Sequence, residues 1–163
     1  MQTRSALAVS ATGWIVGLAA LVVGAVLFGT LTPMPYHTLI PAVPLAEGYQ
    51  FIRFEPTTFK DVIGNVLLYV PVGAVFWCVA RFVLQRRTAA IPLAVFAAGF
   101  LSTGIEWAQV FIPGRFPSAT DICMNCVGSL LGALAAVVFT GICRQILHSM
   151  AARSMREANP DVV

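Results

Sequence analysis

The stretch ALAVSATGWIVGLAALVVGAVLFGTL, residues 6–31, contains no charged side chain and decides the class of fold. A transmembrane helix needs about 20 consecutive apolar residues, whereas the apolar core of a signal peptide is only roughly 7–15 residues long. The stretch therefore predicts a retained membrane helix. Its small residues at one helical spacing predict close packing against a neighbouring helix; they are Gly13, Gly17, Ala20 and Gly24.

Three further apolar stretches follow, at residues 62–80, 89–111 and 122–142. Charged residues make up 10% of the chain and hydrophobic ones 58%, whereas soluble domains contain roughly 25% charged residues. The sequence predicts an all-α polytopic membrane protein with four transmembrane helices. We expect one domain over residues 1–145 and a polar tail over 146–163 that need not be ordered.

The basic residues predict the orientation, because cytoplasmic loops are enriched in Lys and Arg. With the N-terminus inside, the outer loops keep Arg53, Lys60 and Arg115. The cytoplasmic side then carries the other seven: Arg4, Arg81, Arg86, Arg87, Arg144, Arg153 and Arg156. We expect both termini in the cytoplasm. The net charge of +3 is small and scattered, and it does not suggest a nucleic-acid partner.

Two polar stretches about 60 residues apart resemble each other: EGYQFIRFEPTTFKDVIGN at 47–65 and EWAQVFIPGRFPSATDICMN at 106–125. Each begins with Glu-x-x-Gln and ends with Asp-x-x-x-Asn at the start of an apolar stretch. The matched positions are Phe51 and Phe111, Ile52 and Ile112, Asp61 and Asp121, and Asn65 and Asn125. We interpret spans 1–2 and 3–4 as two helical hairpins related by parallel repetition, with their equivalent residues meeting on the outer side.

Polar side chains inside the apolar stretches predict the candidate site. Intramembrane ionisable residues face the interior of the bundle, pair with other groups and often mark function. Glu106, which lies about one and a half turns inside the outer end of the third span, is the strongest example. The predicted outward-facing pocket comprises Asp61, Asn65, Glu106, Gln109, Arg115, Asp121 and Asn125. The first repeat adds second-tier candidates in a Pro-rich loop: Glu47, Gln50 and Arg53.

Structural roles are an open alternative for these residues. TFKD (58–61) and SATD (118–121) each fit a capping box, in which the Asp stabilises the start of a helix. The two asparagines one turn deeper would then make hydrogen bonds between helices. Glu106 and Arg115 would form a salt bridge that locks the two hairpins together.

The polar pattern resembles the VanZ-like family of small bacterial membrane proteins, from the first span to the fourth. The matching residues are Asp61-x-x-x-Asn65 with NVLLYVPVG, then SxxIEWAQ from Ser102 to Gln109, Arg115, and Asp121-x-x-x-Asn125-x-x-Gly128. The name-giving member is associated with resistance to the glycopeptide antibiotic teicoplanin. The resemblance implies a location in the bacterial cytoplasmic membrane and a role in the cell envelope, and it names no reaction.

Three hypotheses for the function remain open. The first is a non-enzymatic protein whose pocket binds membrane lipids or a lipid-linked envelope precursor, since Arg recognises carboxylate and phosphate groups. The second is an intramembrane enzyme in which Glu106 or an Asp is the general base and Arg115 holds an anionic substrate. The third is a lipid transporter or scramblase, which would need a homo-oligomer because four spans make a narrow pathway.

The sequence suggests no cofactor or metal. Cys123 and Cys126 form a C-x-x-C with no second pair and no nearby histidine, and cysteine packs well in buried helices. His37 and His148 lie on opposite sides of the predicted membrane, so they do not form a zinc site together.

Overall fold

Four α-helices make up the part of the chain that the structure describes. The computed structural model describes residues 2–32, 54, 57–112, 115 and 117–158, with side chains from residue 13 to residue 155. Each helix includes a segment long and apolar enough to cross a membrane. This confirms the prediction of an all-α protein with four candidate spans. The helices are α1 Gln2–Leu31, α2 Phe59–Leu84, α3 Ala90–Gln109 and α4 Ala119–Ala158.

Helix α4 is much longer than its apolar stretch. It continues beyond residue 142, the predicted end of the span, and includes most of the residues predicted as a polar tail. The added segment is rich in Ala, Met and Arg, which have high helix propensity. A helix of 40 residues is about 60 Å long, about twice the thickness of a hydrocarbon core. Helix α4 is therefore longer than a hydrocarbon core is thick, and its C-terminal part is exposed.

Helices α2 and α4 pack with their backbones in close approach. A Cβ atom added to Gly132 would lie 1.8 Å from the Val70 carbonyl oxygen, and one added to Gly128 would lie 2.2 Å from that of Val66. Small residues permit such contacts between membrane helices. From the other side, Gly73 of α2 lies against the backbone of Ser129. These three glycines are what allow the pair of helices to form the centre of the bundle.

Helix α1 lies at the edge of the bundle. Among its described side chains only Val26 is buried, in a cluster with Tyr69, Val72, Ala98 and Ile105. The packing predicted for the small-residue stripe of α1 is wrong in the described structure, since a Cβ atom at any of its three glycines would meet nothing within 4 Å. The apolar neighbours of Val26 dock this helix instead.

Three arginines lie where α2 ends and in the turn that leads to α3: Arg81, Arg86 and Arg87. The indole of Trp77 is fully buried and donates a hydrogen bond of 3.1 Å to the Arg87 carbonyl. The Arg81 guanidinium lies 5.7 Å from the centre of the same ring, within range of a cation–π interaction. Trp77 thereby closes the short turn between the two helices.

Candidate polar site

The seven predicted pocket residues lie at one end of the bundle, where α1 and α3 end and α2 and α4 begin. We call this the polar end. Helix α2 contributes its first two turns, α3 its last turns, and α4 its first two turns, with Arg115 in the α3–α4 connection. The second-tier candidates Glu47, Gln50 and Arg53 lie outside the described residues.

The start of α2 confirms the first predicted capping box. The Thr58 hydroxyl accepts a hydrogen bond of 3.3 Å from the Asp61 amide, and the Asp61 carboxylate accepts one of 3.2 Å from the Thr58 amide. Asp61 is exposed. This aspartate therefore satisfies donors at a helix start, as the sequence alternative predicted.

The start of α4 is built differently. Ser118 caps the helix by accepting a hydrogen bond of 3.1 Å from the Thr120 amide. The Ser118 amide, however, donates a 2.8 Å hydrogen bond to the carboxylate of Glu106, which comes from α3 and is 4% exposed. In the predicted second capping box, the Asp121 carboxylate would accept this hydrogen bond from the Ser118 amide. Glu106 accepts it instead, and the Asp121 carboxylate interacts with the side chain of Asn65.

One turn deeper, a hydrogen bond joins α4 to α3. The Asn125 amide nitrogen donates to the Ser102 hydroxyl over 2.9 Å, and both side chains are buried. The predicted role of Asn125 in bonding between helices is therefore confirmed. Asn65 contacts α4 through Asp121, so both asparagines connect neighbouring helices.

Two of the predicted pocket residues hold the end of α1. Gln109 donates a 3.0 Å hydrogen bond to the Thr30 carbonyl. The Nη2 atom of Arg115 donates to the carbonyls of Gly29 and Thr32, over 3.0 and 2.9 Å. The last carbonyls of a helix lack partners within the helix and attract positive charge. These contacts tie α1 to the α3–α4 connection.

Ionisable side chains lie close together at the polar end. Glu106 is within electrostatic range of both Asp121 and Arg115, and Asp121 is within range of Asp61. The Arg115 side chain donates its hydrogen bonds in the described structure to carbonyls, so the predicted Glu106–Arg115 salt bridge is not what fixes this arginine. Its buried Nε atom has no hydrogen-bond partner in the described structure. The guanidinium therefore keeps donor capacity beside a buried carboxylate.

The comparison with protein families decides the assignment. A model of the VanZ/LLP1 family matches residues 13–140. This chain belongs to the VanZ/LLP1 family. The matched region includes all seven predicted pocket residues, and it confirms the resemblance read from the polar pattern. Searches of curated proteins and of solved structures find no significant match.

Within the VanZ/LLP1 region the structure adds polar residues that the sequence analysis did not assign to the pocket. Tyr69, Ser102 and Ser129 are fully or almost fully buried. Their spacing was the available signal: each lies four residues along its helix from a predicted pocket residue, on the same helix face. Tyr69 follows Asn65, Ser129 follows Asn125, and Ser102 precedes Glu106.

The cysteines of the VanZ/LLP1 region are free thiols in the structure. Cys123 is exposed on α4, and the sulfur of Cys126 lies 3.0 Å from the position of a Cβ atom at Gly99, between α3 and α4. Among the described residues no group of three or more His, Cys, Asp or Glu side chains is placed to hold a metal ion.

Proposed function

We propose that this VanZ/LLP1 protein binds an amphipathic or lipid-linked envelope molecule at the polar end, and that binding contributes to resistance against teicoplanin-type glycopeptides. The observation that carries the proposal is the state of Arg115. The side chain is half-buried, and its guanidinium is anchored through Nη2 to two carbonyls at the end of α1. An anchored planar fork is suited to recognise a phosphate or carboxylate.

The carboxylates of the polar end support a head group with hydroxyl, amide or ammonium donors. Glu106 presents one oxygen to the Ser118 amide, and a carboxylate can accept several hydrogen bonds. Asp121 is half-buried beside it and Asp61 is exposed. A ligand with an anionic group and several donors would therefore meet Arg115 on one side and these acids on the other.

The surroundings of the polar end support an amphipathic ligand. Large aromatic side chains at this end are exposed: Phe28, Phe54, Phe59 and Trp107 are between 52% and 78% accessible. Aromatic residues concentrate where a membrane protein meets the lipid–water interface. A molecule with a lipid tail would reach the polar groups from the bilayer while its tail stays in hydrocarbon.

Native mass spectrometry tests the binding proposal. The protein would be released from nanodiscs of phosphatidylethanolamine and phosphatidylglycerol supplemented with undecaprenyl diphosphate. We expect Arg115→Gln to reduce retention of the diphosphate at least about tenfold, since charge-assisted hydrogen bonds contribute about 1.5–3 kcal/mol.

Gln109→Ala is the matched control, because it removes a contact with α1 and leaves the guanidinium intact. Equal retention by wild type and Arg115→Gln would contradict the proposal. Equal losses in Arg115→Gln and Gln109→Ala would show that docking of α1, rather than the charge, controls retention. Turnover of the diphosphate, or its flux across vesicles, would favour an enzyme or a transporter instead.

We propose further that the polar end faces outward from the bacterial cytoplasmic membrane, with both termini inside. The support is the distribution of arginines, of which Arg81, Arg86 and Arg87 cluster at the opposite end of the α2–α3 hairpin. In a variant lacking the native cysteines, Lys60→Cys should react with an impermeant maleimide in intact cells and Arg86→Cys only after lysis. The reverse pattern would overturn the orientation, and labelling of both sites in intact cells would overturn the four-span topology.

A further inference from the structure

A row of polar side chains runs from the polar end into the bundle, between α2, α3 and α4. Its members recur every four residues along each helix and so share one face. The first and last members on α4, Asp121 and Ser129, are eight positions apart, which corresponds to about 12 Å of helix. The members are Asp61, Asn65 and Tyr69 on α2, Glu106 and Ser102 on α3, and Asp121, Asn125 and Ser129 on α4.

The half of this row that lies deeper in the bundle is buried, and some of its polar atoms have no hydrogen-bond partner. Tyr69, Ser102, Asn125 and Ser129 are between 0% and 4% exposed. The Asn125 amide nitrogen has its partner in Ser102. Three polar atoms nearby have none in the described structure: the Tyr69 hydroxyl, the Asn125 carbonyl oxygen and the Ser129 hydroxyl.

Contacts along the helices place these atoms in one region. The side chains of Tyr69 and Ser102 lie close together across the α2–α3 contact, although the Tyr69 hydroxyl makes no hydrogen bond of normal geometry in the described structure. Ser102 is bonded to Asn125. Ser129 lies one turn below Asn125 on α4, with its backbone against Gly73, which lies one turn below Tyr69 on α2. All three helices therefore contribute to the same buried cluster.

Three buried polar atoms without partners in one cluster are expected to bond to a further molecule. Most buried polar atoms have a protein or water partner, and buried water typically makes about three hydrogen bonds. The amide oxygen of Asn125 can only accept, whereas the hydroxyls of Tyr69 and Ser129 donate and accept. A water molecule donates twice and accepts twice, so it complements this set.

We propose that Tyr69, Asn125 and Ser129 hold ordered water between α2, α3 and α4, beneath Glu106. The water extends the row of polar groups deeper into the bundle than the candidate pocket, because Ser102 and Tyr69 lie between the cluster and Glu106. The lower part of the pocket is then hydrated from within the bundle. This inference does not depend on the proposed ligand, and its test uses the protein without added ligand.

Magic-angle-spinning NMR of the full chain in deuterated bilayers tests the site. With asparagine and tyrosine labelled, we expect cross-peaks from water to the side-chain amide of Asn125 and to the hydroxyl of Tyr69. Absence of both cross-peaks in the wild type would overturn the proposal, since the side chains would then bond to one another directly. This measurement needs no variant to fold.

The double variant Tyr69→Phe with Ser129→Ala assigns the water to its partners. We expect loss of the Asn125 cross-peak while the backbone spectrum is retained. Thr103→Ala is the matched control, because Thr103 is exposed and its hydroxyl donates to the Gly99 carbonyl of its own helix. An Asn125 cross-peak that persists in the double variant would overturn the assignment to this cluster.

Discussion

Gly132→Ala is expected to force α2 and α4 apart and to destabilise the protein by about 3 kcal/mol or more, at the upper end of overpacking effects. The added methyl group would lie 1.8 Å from the Val70 carbonyl oxygen and 3.0 Å from the Ala74 nitrogen. Both are backbone atoms within a helix, so no side-chain rotation relieves the overlap. The Asn65–Asp121 contact at the polar end spans the same two helices and should weaken as well.

Thermal unfolding in nanodiscs measures this effect. Gly141→Ala is the matched control, because it lies on the same helix and a Cβ atom there meets nothing within 4 Å. Alanine also has the higher helix propensity, so the control should unfold at or slightly above the temperature of the wild type. If Gly132→Ala unfolds at the temperature of Gly141→Ala, the close approach of α2 and α4 is wrong.

The polar residues inside apolar stretches were predictable because they are costly in lipid. Asn65, Glu106 and Asn125 each interrupt an apolar run, and such residues must face partners inside a bundle. Successive helices run in opposite directions, so the end of α3 and the starts of α2 and α4 lie at the same end of the bundle. The clustering of the seven residues therefore followed from hydropathy and from the direction of each helix.

The partners of these residues were not predictable. Glu106 accepts from the Ser118 amide, while Gln109 and Arg115 donate to α1 carbonyls. Backbone groups at helix ends are present in every sequence and leave no residue-specific pattern. A pairing of Glu106 with Arg115 was the natural expectation from side chains alone.

Helix packing shows the same limit. Small residues on α1 and on α4 have similar spacing, yet those of α4 meet the α2 backbone and those of α1 meet nothing in the described structure. A small residue permits close approach and does not select a neighbour. The internal repeat likewise stays a prediction, since most of the loop of its first copy lies outside the described residues.

Glu106→Gln is expected to abolish the proposed protection against teicoplanin while leaving the fold intact. The glutamine carbonyl can still accept the hydrogen bond from the Ser118 amide, so the start of α4 keeps its partner. The second carboxyl oxygen is replaced by an NH2 group, however, so the proposed head group loses one acceptor close to Arg115 and Asp121. The measurements are the teicoplanin susceptibility of expressing cells and the unfolding temperature of purified protein at matched expression.

Glu106→Leu separates structure from function in the same position. It removes the acceptor altogether and leaves the Ser118 amide unpaired in a buried place, which costs about 1–3 kcal/mol. We therefore expect loss of protection in both variants and loss of stability in Glu106→Leu alone. Full protection by Glu106→Gln would show that Glu106 serves only to hold the start of α4. A fall in stability equal to that of Glu106→Leu would show that the carboxyl group itself is needed for the fold.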